Sequence, residues 1–177
     1  MAAFTVIDHT ELGAGAAELV DVTSIPSSYD HLYAVLSPRG DDAGTIVSFR
    51  VQLNGETANT NYSYTNFYAQ SATISNEQST TQPTVAAYPR MPAASATADT
   101  FGSTTMWIPN YANTANFKQA LTLNAAENAS TATSAWYLYV IAGLWSNTDA
   151  IDRITITASS GNFVQYSTFT LYGVTGA

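Results

Sequence analysis

Ile46-Val47-Ser48-Phe49-Arg50-Val51-Gln52-Leu53 decides the fold class. Val47, Phe49, Val51 and Leu53 share one face of an extended chain, and Ser48, Arg50 and Gln52 share the other. Leu32, Ala34 and Leu36 form a similar stripe just before the turn-forming cluster Ser37-Pro38-Arg39-Gly40. Downstream, Ile154, Ile156 and Ala158 alternate with Arg153, Thr155 and Thr157, and Phe169 and Leu171 alternate with Thr168, Thr170 and Tyr172. Further strands are predicted over Phe4 to Ile7, Glu18 to Thr23, Tyr62 to Gln70, Thr104 to Pro109 and Phe117 to Asn124. Sustained helical periodicity is absent.

Turn signals punctuate these runs at Ser24-Ile25-Pro26-Ser27-Ser28, Asp41-Asp42-Ala43-Gly44, Asn54-Gly55 and Ser159-Ser160-Gly161-Asn162. About ten short strands separated by such breakers predict an all-β, antiparallel, jelly-roll-like β-sandwich. Residues 1–17 read as an N-terminal arm or first strand, and residues 18–177 as the sandwich. Ser71 to Thr100, rich in Ser, Thr, Ala, Gln and Pro with little alternation, reads as a long excursion outside it, a place for a binding loop. Trp136 to Leu144 is apolar on both faces. It is either a central core strand or one whose outer face a neighbouring subunit covers.

The 177 residues fit one domain, with 46% apolar residues to build a single core. Charged residues make up only 10%, well below the roughly 25% usual in soluble domains. Thr, Ser, Asn and 11 Tyr take their place and suit half-buried strands and contact faces. One Lys and four Arg against 13 carboxylates give a net charge of −8, which excludes the basic footprint of a nucleic-acid binder. No apolar run is long enough for a membrane helix. The N-terminal residues lack a signal-peptide pattern, and zero Cys removes disulfides and thiolate chemistry. Asn61-Tyr62-Ser63 and Asn128-Ala129-Ser130 match the glycosylation pattern but carry no weight without a secretory signal.

Catalytic constellations are weak. His9 and His31 adjoin Asp8 and Asp30, but neighbours on a strand point to opposite faces, and no Gly-x-Ser-x-Gly elbow exists. Thirteen carboxylates always permit some glycosidase-like pair, so none is informative. Asp41 and Asp42, or Asn54, Glu56 and Asn59, could offer oxygen ligands to calcium, but capping of turns explains them better. No cofactor, metal or catalytic residue is assigned. Tyr62, Tyr64, Phe67, Tyr68, Trp107, Tyr111 and Trp145 are candidates for an interface or a glycan-stacking platform, with subunit packing the favoured role.

One ordered series goes further. It runs Ser24-Ile25-Pro26-Ser27-Ser28-Tyr29-Asp30-His31-Leu32, Arg39, Phe49-Arg50-Val51-Gln52-Leu53-Asn54-Gly55 and Asn61-Tyr62. It continues with Ile108-Pro109-Asn110-Tyr111-Ala112-Asn113-Thr114, Trp145-Ser146-Asn147-Thr148-Asp149-Ala150-Ile151 and Ser167-Thr168-Phe169-Thr170-Leu171-Tyr172-Gly173-Val174. The series resembles a widespread family of tailed-bacteriophage virion proteins built on one jelly-roll-like sandwich. The motifs themselves read as joints: a rigid Pro before a strand, an Asn-Gly hairpin signal, a strand-to-loop corner and a final strand.

The resemblance implies a non-enzymatic protein located on the virion and made in the host cytoplasm. A capsid decoration or cement protein, pictured as a trimer, would bind the major capsid protein or another virion protein. Residues 2–17 or the loop 71–100 would provide the grip. The alternative is a tail or tail-fibre module that recognises host-surface glycans. Neither reading calls for nucleic acid or membrane.

Overall fold

The computed structural model describes residues 3–128 and 136–176. Met1 and Ala2 of the expected arm, the Ala129-Ser130 half of one glycosylation pattern, and Ala177 lie outside the described residues. Among the described residues there are twelve strands and no helix: β1 (Ala3–Glu11), β2 (Leu19–Val22), β3 (His31–Ser37), β4 (Ile46–Leu53), β5 (Tyr62–Gln70), β6 (Thr73–Ser79), β7 (Arg90–Pro92), β8 (Ser103–Pro109), β9 (Lys118–Ala126), β10 (Tyr137–Trp145), β11 (Ile154–Ala158) and β12 (Thr168–Thr175). All ten strand pairings are antiparallel. One sheet has eight strands in the order β1-β12-β3-β8-β9-β10-β5-β6, and the other four, β2-β11-β4-β7. The all-β sandwich is therefore present. The division between the two sheets is uneven, eight strands against four.

The core lies between the sheets. Val47, Phe49, Val51 and Leu53 of the opening stretch are buried, and their partners on β11, Ile154, Ile156 and Ala158, are buried with them. From the larger sheet Leu32, Leu36, Met106, Ile108, Phe169 and Leu171 meet them. Phe163 joins the layers edge-on, 6.4 Å from the Phe49 ring and 5.0 Å from Phe169. Each such side chain contributes roughly 1.5–3 kcal/mol through burial.

Three joints read from the sequence take concrete form. Asn54 and Gly55 adopt positive φ (51° and 67°), as an Asn-Gly turn favours. The turn is not a hairpin, however: β4 pairs with β11 and β7, so the chain crosses here to the larger sheet. The Asn54 side chain fixes this crossing, donating to Ala150 O at 2.8 Å and accepting from the Asp152 and Arg153 N–H groups. Asn110, also at positive φ (50°), turns the chain at the end of β8, and the buried Tyr111 hydroxyl donates to the Pro26 carbonyl. Tyr29 lies over Gly173, where a Cβ would fall 2.3 Å from its ring.

Ser71 to Thr100 departs from expectation. It does not stand outside the sandwich: β6 continues the larger sheet, β7 closes the smaller one, and Thr84, Val85, Ala86 and Ala87 are buried. Alternation is missing for two reasons. β6 is an edge strand exposed on both faces, so nothing selects apolar residues on either. Residues 84–87 pack as irregular chain, held by Val85 N–H to Val51 O at 3.0 Å and by Thr84 Oγ1 to Val51 and Ala86. Asn124 of β9 clamps β7 from the opposite sheet: it accepts from Arg90 N–H and donates to Arg90 O, both at 2.8 Å, and to Thr104 Oγ1 at 2.7 Å.

Of the two readings for the N-terminal residues, arm or first strand, residues 3–11 form a strand along β12, with one bulge between Val6 and Asp8. Lys118, the one lysine, is buried beside Trp145, its ammonium donating to the carbonyls of Asn116 (2.8 Å) and Thr148 (3.0 Å). Burial lowers its pKa, partly offset by Asp149.

Candidate functional site

The most unusual surface is the outer face of the eight-stranded sheet. Strand pairing fixes which side chains share it. One row runs Val6, Tyr172, Tyr33, Trp107, Leu121 and Ala142 across six strands. The next runs Thr170, Val35, Thr105, Leu123, Val140 and Phe67. A third includes Ala125, Leu138, Ala69 and Ile74. From β12 to β6 the outward positions carry no Lys, Arg, Asp or Glu; ionisable residues enter only with His31 near one end and His9 and Glu11 on β1.

These are large apolar side chains left in water. Leu121 and Leu123 are 48% and 49% exposed, Phe67 and Leu138 54%, and Ile74 70%. In β9 the expected arrangement is inverted: the leucines point out, while Lys118, Thr122 and Asn124 are buried. Fixed backbone partners satisfy the inward Lys118 and Asn124, so packing, not polarity, sets this strand's orientation. On the β1 side the face is aromatic. Phe4 packs edge-on to Tyr33 (5.7 Å) and Tyr172 (6.1 Å), and Trp107 lies 4.9 Å from His31. The rows cross six, six and four strands, and with strands about 4.8 Å apart and rows about 7 Å apart they cover a footprint on the order of 500 Å². Exposed large apolar side chains gathered on one uncharged face are the mark of a candidate interaction surface.

The seven aromatic candidates fall in three places. Phe67 and Trp107 lie on this outer face. Tyr64 and Tyr68 sit on the opposite side of β5, in a small second cluster where Tyr139 stacks on Tyr68 (5.0 Å) and Tyr137 (5.9 Å). The Arg90 guanidinium lies over the Tyr137 ring at 5.3 Å. Tyr62, Tyr111 and Trp145 are core residues, at most 1% exposed, and cannot form a surface platform. Tyr62 shows why: its hydroxyl accepts from Leu53 N–H at 3.0 Å, and burial raises its pKa well above that of a free phenol. The corner where the chain crosses between sheets needs a ring with a polar tip, which is indistinguishable in sequence from a surface tyrosine.

No family model and no curated protein matches this chain.

At one end of the outer face, Ser63, Thr65, Gln78, Thr80, Gln119 and Leu144 line an open groove of about 420 Å³. Its polar lining is uncharged. The histidines show no triad: His9 Nδ1 pairs with Thr170 Oγ1 at 2.8 Å, and His31 Nδ1 accepts from Asn110 N–H at 3.1 Å. The carboxylates considered for calcium act as turn caps. Asp41 accepts from Asn162, Asp42 from Gly44 N–H and Ser160, and Glu56 from Ala58 N–H and Asn61.

These caps set the acid response. Hydrogen bonds from Asn162, Ser160 and Ala58 hold Asp41, Asp42 and Glu56 respectively below the usual carboxylate range. The Arg153 guanidinium, bonded to both Asp21 oxygens at 2.8 Å, does the same for Asp21. A depressed folded pKa adds stability above the unfolded value of about 4, and that stability is lost as pH falls through the folded pKa. Unfolding free energy is expected to stay level from pH 7 to about 5 and to drop below about pH 4. Asp21→Asn should flatten part of that drop; an unchanged acid limb in denaturant titrations would show that the ion pair is irrelevant.

Proposed function

We propose that the protein is a non-enzymatic structural component of a tailed-phage virion, a decoration or cement protein on the outside of the head. The observation that supports this reading most is the wide, uncharged, apolar outer face of the larger sheet. Such a face costs solubility unless something covers it, and an assembly protein is a physical reason to keep it. The resemblance of the ordered motifs to virion proteins points the same way. Residues 3–11 are paired with β12, so a grip by residues 2–17 would require β1 to leave the sheet. The net charge of −8 keeps the surface from binding packaged DNA. Several copies holding adjacent capsomers would resist internal pressure through multivalency. The major capsid protein is the partner in this reading.

The test is co-sedimentation of the purified protein with empty phage heads. Saturable binding at a fixed copy number per head is expected, and protein left wholly in the supernatant rejects the head assignment.

A second reading, a tail module that binds host-surface glycans, draws on the groove at Gln78 and Gln119. Amide and hydroxyl groups beside an apolar wall suit a neutral sugar. Glycan-array binding that falls at least tenfold in a Gln78→Ala, Gln119→Ala variant is its expected signature. An array with no bound sugar removes it.

A further inference from the structure

We infer that the outer face of the eight-stranded sheet is covered by the same face of a second copy of this chain, in a two-fold pair. The inference rests on the reading of that face as an assembly surface and names its occupant; the major capsid protein would then meet the pair through another surface.

Three observations select a second copy. The first is charge. Each chain carries −8, so two copies repel wherever their charged surfaces approach. The outward positions from β12 to β6 hold no Lys, Arg, Asp or Glu, which makes this the surface through which like-charged copies can meet at least cost. A partner chosen by opposite charge would need a charged patch, and the face offers none.

The second is area. A footprint on the order of 500 Å², before side-chain relief is counted, is more than half of the roughly 800 Å² per partner of a stable interface. The third is the distribution of chemistry over the face. Leu121, Leu123, Val140 and Phe67 lie in its middle, while His9 and Glu11 stand at the β1 margin and the Gln78 groove at the other end. That is a dry centre with a polar rim. Two sheet faces of this kind pack about 10 Å apart with their side chains interleaved.

Symmetry then fixes the number. One patch that meets itself is isologous and closes as a dimer; a trimer needs two different patches on each chain. Each copy would place its β9–β10 leucine and valine rows against those of the other. The closed pair would turn its smaller sheets outward on both sides.

The test is the solution mass by light scattering at tens of micromolar, for wild type, Leu123→Glu and Val140→Glu. Both residues are exposed in the single chain (49% and 40%), so an unchanged far-UV spectrum is expected. Wild type should give twice 18.8 kDa, and each variant 18.8 kDa, with dimer affinity reduced at least about 100-fold by two buried carboxylates. If a glutamate prevents folding, Leu123→Ser with Val140→Ser reads the same contact without charge and should also dissociate the pair. A wild-type monomer, a trimer, or a dimer that persists in the variants overturns the inference. Adding empty heads separates it from the reading it rests on. A wild-type monomer that binds heads and loses them with Leu123→Glu keeps the docking face and overturns self-pairing. A dimer sensitive to Leu123→Glu that ignores heads keeps the pair and rejects the head assignment.

Discussion

Gly143→Val is expected to abolish the folded state, and Gly143→Ala to destabilise the protein by about 3 kcal/mol or more. Gly143 lies in mid-β10, on the side that faces the core. A Cβ there would stand 1.7 Å from the Val85 carbonyl oxygen and 2.8 Å from its carbonyl carbon. Both are backbone atoms, so no rotamer change relieves the clash. Val85 itself is pinned through its N–H to Val51, so residues 84–87 could yield only by breaking their bonds to β4. The glycine is required by close approach of two backbones and not by its φ. Urea denaturation of Gly143→Ala decides the matter: a midpoint within experimental error of wild type would mean that residues 84–87 do not occupy this position.

Asn124→Leu should be nearly as costly, about 3–5 kcal/mol, although leucine suits a core better than asparagine does. The side chain is 1% exposed and makes three hydrogen bonds of 2.7–2.8 Å. Its loss strands the Arg90 N–H, the Arg90 carbonyl and the Thr104 hydroxyl in a dry interior, each costing about 1–3 kcal/mol when left unmade. The effect should also be local. β7 is a three-residue strand at the margin of the smaller sheet, and Asn124 ties it to the larger one. Amide hydrogen exchange should therefore rise first at Met91 and Ala93 before the rest of the core responds. A loss below about 1 kcal/mol in guanidinium titration would show that water replaces the asparagine without penalty.

The sheet strands were legible because period two survives wherever one face is buried and the other wet. Ile46–Leu53 and Tyr62–Gln70 match the sequence reading at both ends, and the alternation from Arg153 to Ala158 contains β11. β6 and β7 were not, since an edge strand wet on both faces and a three-residue strand offer no period to read. The site was legible only in part. Trp136 to Leu144, apolar on both faces, reads either as a central core strand or as one covered by a neighbour, and the structure leaves Leu138 and Val140 exposed. The aromatic residues misled, because Tyr62, Tyr111 and Trp145 serve the core with their rings while their type suggests a surface. The leucines of β9 gave no warning: nothing in Lys118-Gln119-Ala120-Leu121-Thr122-Leu123-Asn124 tells that the lysine and asparagine turn inward. That choice depends on carbonyls supplied by Thr148 and Arg90, far along the chain.

The sequestered Lys118 has a practical side. With its ammonium seated between two carbonyls, the folded protein presents no lysine side chain to acylating reagents, and with no cysteine it presents none to maleimides. Lysine-to-lysine cross-linkers would therefore miss its lysine even where another chain touches it. Carboxylate-directed coupling through residues such as Glu11, Glu18 or Asp99 is the chemistry that would map its surroundings. The same burial makes Lys118 a reporter of unfolding: the moment at which it becomes acylated marks the opening of the β9–β10 end of the core.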